Sequence, residues 1–100
     1  MAYSKLQWEI LIRHLALDSN NIIFTKHALI RMKQRHITQQ YVLEVLRRGV
    51  IKREPEPDIK TGDMLCRMER GVAGMSIGVV LALEDASATS GIVVTALTIG

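Results

Sequence analysis

Three residues spaced four apart, His27, Arg31 and Arg35, carry the first chemistry in this chain. They lie in the stretch FTKHALIRMKQRHI, from Phe24 to Ile37. With Thr25 as the cap of a helix, 3.6 residues per turn spread the three over roughly 80° of its circumference. The result is a cationic strip with an imidazole at one end. A guanidinium fork matches phosphate oxygens, and an imidazole moves protons near neutral pH. Metal-free RNA cleavage uses both kinds of group: a 2′-hydroxyl is activated, a phosphorane gathers negative charge, and a 5′-oxygen takes a proton. His27 suits the proton transfer; Arg31 and Arg35 suit the charge. Lys26 beside the strip and Arg67 farther along the chain are the further expected RNA contacts. Glu69 and His36 are the remaining candidates for a second proton-transfer group. A plainer reading stands beside this one. His27 then hydrogen-bonds to a sheet edge, and Arg31 and Arg35 pair with Glu54, Glu56 or Glu69.

Charge distribution points the same way. Formal net charge is +3, and eight of the 13 Lys and Arg fall between Phe24 and Arg53 (Lys26, Arg31, Lys33, Arg35, Arg47, Arg48, Lys52 and Arg53). Glu44 is the one acid in that window. Such clustering is the electrostatic footprint of a polyanion-binding surface, or simply a solvated basic helix face. Other chemistries find little support. The chain has no Gly-rich phosphate loop, GxSxG elbow or CxxC pair, which argues against nucleotide-dependent enzymes, serine hydrolases and thiol oxidoreductases. His14, His27, His36 and Cys66 lack zinc-ligand spacing, so no metal or cofactor is expected. Cys66 is the only cysteine; it rules out an internal disulfide, fits a reducing compartment and reads as a small buried hydrophobe. The start MAYSKLQWEIL carries Glu9 and is followed by Arg13, unlike a signal peptide, and no run approaches the roughly 20 apolar residues of a membrane span. A bacterial-type cytoplasmic protein without a membrane partner is expected.

The elements that position these residues follow from periodicity. One hundred residues, 48% of them hydrophobic, make one small domain over 1–100 with a mostly aliphatic core. Ser4 with Gln7 forms a capping box for a helix from about Lys5 to Leu17, with Trp8, Leu11, Ile12 and Leu15 inward. Ile22 to Phe24 is a short extended piece after a turn at Asp18 to Asn21. A second helix runs from Thr25 to about Arg35, and a third from Thr38 to Arg48. Gly49 stands where a glycine one residue past a helix end is expected. Past it the period changes to two. Strands are expected at Val50–Arg53, Met64–Glu69, Met75–Leu83 and Ile92–Ile99, with a loop from Glu54 to Gly62 and a hairpin turn at Gly71–Gly74. Met75, Ile77, Val79, Leu81 and Leu83 share one face of their strand; Ser76, Gly78, Val80 and Ala82 make the other face small. Helices first and strands after predict an α+β fold, N-terminal helices on a three- to four-stranded antiparallel sheet. The second sheet face then needs a cover, either helix one or a dimer partner.

The pattern His-Ala-x-x-Arg-x-x-x-Arg-x-Ile-Thr resembles the domain-of-unknown-function family 4258. His27, Ala28, Arg31, Arg35, Ile37 and Thr38 fit it, as do the helix around Val42 to Leu46 and the closing Val93-Val94-Thr95. The resemblance covers about Phe24 to Ile99. It implies a scaffold similar to RelE/ParE-type toxins and barnase-like small ribonucleases, and a toxin-like, metal-independent RNase or RNA-binding domain with RNA and an acidic antitoxin as partners. The chain departs from the family twice: His36 stands where the family favours Gly, and Leu97 lies where an aromatic is frequent. The alternatives are a non-catalytic nucleic-acid binder and a protein-interaction module, such as a homodimer.

Overall fold

Three hydroxyl side chains start the three helices. In the computed structural model, which describes residues 3–99, Ser4 opens α1 (Lys5–Ala16), accepting from the Gln7 amide while its own amide donates to Gln7 Oε1. Thr25 caps α2 (Lys26–Gln34) by accepting from the Ala28 amide, and Thr38 caps α3 (Gln39–Arg48) by accepting from that of Tyr41. Each cap satisfies an amide that the first turn leaves without a partner. All three were legible from residue type and position.

The strands are β1 (Ile22–Phe24), β2 (Val50–Ile51), β3 (Glu56–Pro57), β4 (Met64–Val72), β5 (Met75–Leu83) and β6 (Gly91–Thr98). They form one six-stranded sheet in the order β1-β6-β5-β4-β2, with β3 also beside β4. This corrects the expected three to four antiparallel strands. β1 runs parallel to β6, so the sheet is mixed. The three long strands are the ones that periodicity found, β1 is the expected extended piece Ile22–Phe24, and β2 falls within the expected strand Val50–Arg53. β3 was read as loop: it is two residues long, too short to show an alternation, and contains Pro57, which breaks a strand reading. Val72 and Met75 close the β4–β5 hairpin around Ala73 and Gly74, both at positive φ (53° and 78°), as a two-residue turn requires.

One face of the sheet carries the core. Cys66, Met68, Ile77, Val79, Leu81, Leu83, Val93 and Ala96 are buried there against the helices. α3 packs over β4 and β5 with Val42, Val45 and Leu46, and α2 packs beside β6 with Ala28 and Met32. α1 contributes Trp8, Ile12, Leu15 and Ala16 to this same core. It lies on α3 and against β2, where Glu9 Oε1 accepts from the Ile51 amide at 2.9 Å and Arg13 donates to the Gly49 carbonyl. The expectation that α1 covers the second sheet face is therefore corrected: an apolar stripe on α1 has room beside α3, so the second face stays free of helices.

Gly49 also differs in its reason. It ends α3 in extended geometry (φ −75°, ψ −179°) rather than left-handed geometry. Glycine is needed by contact. A Cβ there would press into the carbonyl oxygen of Val45 and lie 2.8 Å from that of Glu69. The left-handed residue after a helix is instead His36, at φ 57° past the end of α2, where the Ile37 amide reaches back to the Met32 carbonyl.

Candidate functional site

α2 follows the outer edge of β6. Because the pairing of β1 with β6 ends at Val93, the carbonyls of β6 from Val93 on lack a strand partner on that side. Thr25 takes the first of them, its amide and hydroxyl both donating to the Val93 carbonyl. Arg35 takes another, with Nη1 donating to Ala96 O at 2.7 Å. An open strand edge is a liability, and a helix with a guanidinium covers it well. Arg35 is half-buried in this position. Helical spacing then places His27 and Arg31 on the same flank of α2 as Arg35, bordering β6.

His27 is exposed in the first turn, and no hydrogen bond ties its ring to the sheet edge among the described residues. Arg31 is half-buried and donates to Gln34 Oε1 at 3.2 Å, a neutral partner. Lys26 and Lys33 are exposed. Among the described residues no carboxylate lies within ion-pair distance of any residue of α2. Glu54 pairs with Lys5 at 3.8 Å and Glu69 with Arg67 at 3.4 Å, so neither neutralises Arg31 or Arg35. Two other arginines of the basic window are differently engaged. Arg47 donates to Ala16 O at 2.7 Å, where it caps α1, and Arg48 pairs with Glu44 at 3.3 Å.

Arg67 stands apart from this strip. It lies on β4, two strands in from β6, and on the sheet face opposite the core. There it pairs with Glu69, two residues on and therefore on the same face. The pair lies low on the sheet: side-chain exposure is 19% for Arg67 and 10% for Glu69. Gly78, across from Glu69 on β5, makes room. A Cβ on Gly78 would lie 3.2 Å from Arg67 Nε and 3.1 Å from Ile99 Cδ1. The structure thus brings His27, Arg31 and Arg35 together with Lys26 nearby, and sets Arg67 in a second cluster with Glu69. The sequence placed Glu69 on its strand but gave no sign of its burial. The small residue opposite it, Gly78, was the available signal.

Cys66 is wholly buried in the core, and burial pushes its thiol up to about 12, so it takes no part in either cluster. No group of three or more potential metal ligands occurs among the described residues, and no helix there is long and apolar enough to cross a membrane.

A family model described as Domain of unknown function (DUF4258) matches residues 24–98. The match spans most of the chain, which therefore belongs to that family. It starts just before α2 and closes with β6, and so contains both clusters. No curated protein matches the chain, and no solved structure does.

Proposed function

We propose that this DUF4258 chain is a toxin-like domain acting on RNA, with α2 as the face that meets the phosphate backbone. The observation that carries this reading is the unneutralised charge of α2: Lys26 and Lys33 are exposed and Arg31 half-buried, with no carboxylate in reach among the described residues. Cations without internal partners attract a polyanion and release its counterions on binding. Stacking contributes little. Trp8 is buried, Phe24 and Tyr41 pack on the core, and Tyr3 meets Trp8 edge-on at 5.0 Å. Phosphate contact therefore dominates over base stacking. In this reading Lys26 and Arg31 hold phosphate oxygens, Arg35 fixes the helix against β6, and His27 transfers the proton when the bound strand is cleaved. No metal is needed for that chemistry. The likeness to RelE/ParE-type toxins and barnase-like ribonucleases belongs to the same proposal, supported by helices on one face of the β4–β5–β6 meander and an uncovered face behind it.

The test is binding and cleavage of a single-stranded RNA oligomer over a range of salt. Affinity falls as salt rises, and replacing Lys26, Arg31 and Lys33 together by Ala lowers the slope of log affinity against log salt by about 2. His27→Ala leaves binding in place and removes cleavage. Absent or salt-independent binding overturns the reading. Salt-dependent binding without cleavage by the wild type reduces it to a non-catalytic binder.

One observation favours a second reading, a protein-interaction module. Ile23 and Ile92 are neighbours on β1 and β6, 49% and 37% exposed, and Ile30 on the outer side of α2 is 49% exposed. Such a surface suits a second copy of the chain or an acidic antitoxin that also covers α2. Light scattering that shows a strict monomer removes the homodimer version.

A further inference from the structure

The Arg67–Glu69 pair has no structural task that an apolar pair would not perform as well. It lies on the uncovered sheet face, where the strand register sets out three rows. Leu65, Ala82, Ile92 and Ile23 form an apolar row that ends at Glu56 on β3. Arg67, Val80 and Thr95 form the next, and Val50, Glu69, Gly78 and Leu97 the third. A charged pair in the middle of so apolar a surface carries the desolvation penalty of two ions, which mutual attraction often fails to recover. Nor is the pair fully satisfied. Arg67 Nε is buried without a hydrogen-bond partner, and its 3.4 Å approach to Glu69 Oε2 is an ion-pair contact only. Glu69 has no hydrogen bond to its carboxylate among the described residues and is nine-tenths buried.

Both groups open onto hollows. Arg67 borders a groove of about 220 Å³ shared with Arg53, Glu54, Glu56, Leu65, Cys66 and Val80. Glu69 borders another of about 340 Å³, walled by Arg48, Lys52, Arg70, Ser76 and Ile99. Four further cations thus stand around the pair, of which Arg48 and Arg70 share Glu44, together with two carboxylates, Glu54, which pairs with Lys5, and Glu56. An incompletely paired charge that lines a cleft is a candidate functional position.

We infer that the Arg67–Glu69 pair is a ribose-phosphate subsite that selects RNA over DNA. The assignment rests on the RNA reading of α2 and adds the group that distinguishes the sugar. A lone anion would suit Arg67 but be repelled by Glu69. A nucleotide offers both functions side by side: phosphate oxygens that accept from the Arg67 guanidinium, and a 2′-hydroxyl that donates to the Glu69 carboxylate. The 2′-hydroxyl is the group by which a protein tells RNA from DNA at a given position. Arg53 and Lys52 hold the neighbouring phosphates. The subsite lies two strand spacings in from β6, about 10 Å, in the row of Thr95 and Val80 on the sheet face away from the helices.

The experiment compares a ten-residue oligouridylate with its 2′-deoxy counterpart at one fixed salt concentration. The wild type binds the ribose form about tenfold more tightly, as expected for one hydrogen bond to a charged acceptor. Glu69→Gln brings the ratio toward one. The double variant Arg67→Met/Glu69→Leu does the same and melts no lower than the wild type, since it replaces an ion pair by apolar groups of similar size. Equal wild-type affinity for both oligomers overturns the subsite and leaves the α2 reading intact. A preference that survives in the double variant also overturns it. A double variant that loses its fold overturns the premise that the pair is dispensable for structure. If neither oligomer binds, the α2 reading falls and the subsite with it.

Discussion

Arg35 holds the backbone of Ala96: Nη1 donates to the carbonyl oxygen at 2.7 Å, across a separation of 61 residues. This bond closes the part of the β6 edge that β1 is too short to reach. It also sets the orientation of α2, since Thr25 fixes the other end of the helix on Val93. Replacing Arg35 by Ala leaves a half-buried carbonyl unpaired and removes a charge-assisted bond, for a loss of about 1.5–3 kcal/mol. Urea unfolding measures this directly. RNA affinity of the folded Arg35→Ala protein then falls by less than that of Arg31→Ala. If stability is unchanged and affinity collapses, Arg35 is a phosphate ligand rather than an anchor.

The caps, the long strands and their core faces were legible because each is written in local periodicity. Thr25 and Thr38 have the right side chain at the right place, and Ile77 to Leu83 alternate without a break. The cluster of His27, Arg31 and Arg35 was legible for the same reason, since one helix carries all three. What the sequence hid depends on contacts distant along the chain. The Arg35 bond to Ala96 and the burial of Glu69 over Gly78 need the sheet register, which no local pattern encodes. The parallel pairing of β1 with β6 joins residues 69 apart in sequence, as Ile22 with Gly91. Gly49 was read as a helix-ending glycine, but its space is set by Glu69 on a strand 20 residues later.

That close approach makes Gly49 intolerant of any side chain. A Cβ meets backbone oxygens of Val45 and Glu69, and neither is the end of a flexible side chain. Relief requires moving α3 away from β4. Gly49→Ala therefore destabilises by about 2 kcal/mol or more, in the range of overpacked cores. For a chain of this size the melting temperature drops by about 10 °C. Calorimetry checks it, and a drop below about 2 °C would show that the end of α3 yields freely.

His36 gives the opposite sign. It is exposed, and its backbone sits at φ 57°, a left-handed conformation that costs an L-residue about 1–2 kcal/mol. Glycine adopts it without that strain but loses more freedom on folding. The balance favours His36→Gly by about 0.5–1 kcal/mol. A thermal melt that shows His36→Gly to be less stable would assign the imidazole a contact of its own.

Cys66 makes stability sensitive to alkali. Burial raises its thiol from 9.0 to about 12, so the folded chain keeps the proton while the unfolded chain releases it above about 9. The sign follows: the contribution is complete below pH 9 and is lost as pH rises through the folded value near 12. Lysines and tyrosines also titrate in this range, so the wild type alone does not isolate the effect. The comparison with Cys66→Ala does. Urea midpoints of the two proteins, followed from pH 8 to pH 11, converge as the wild type weakens and the variant does not share that loss. Parallel curves would show that the thiol reaches solvent in the folded state. A thiol reagent gives the same answer at neutral pH, reacting at once with unfolded protein and only at the rate of unfolding with the native chain.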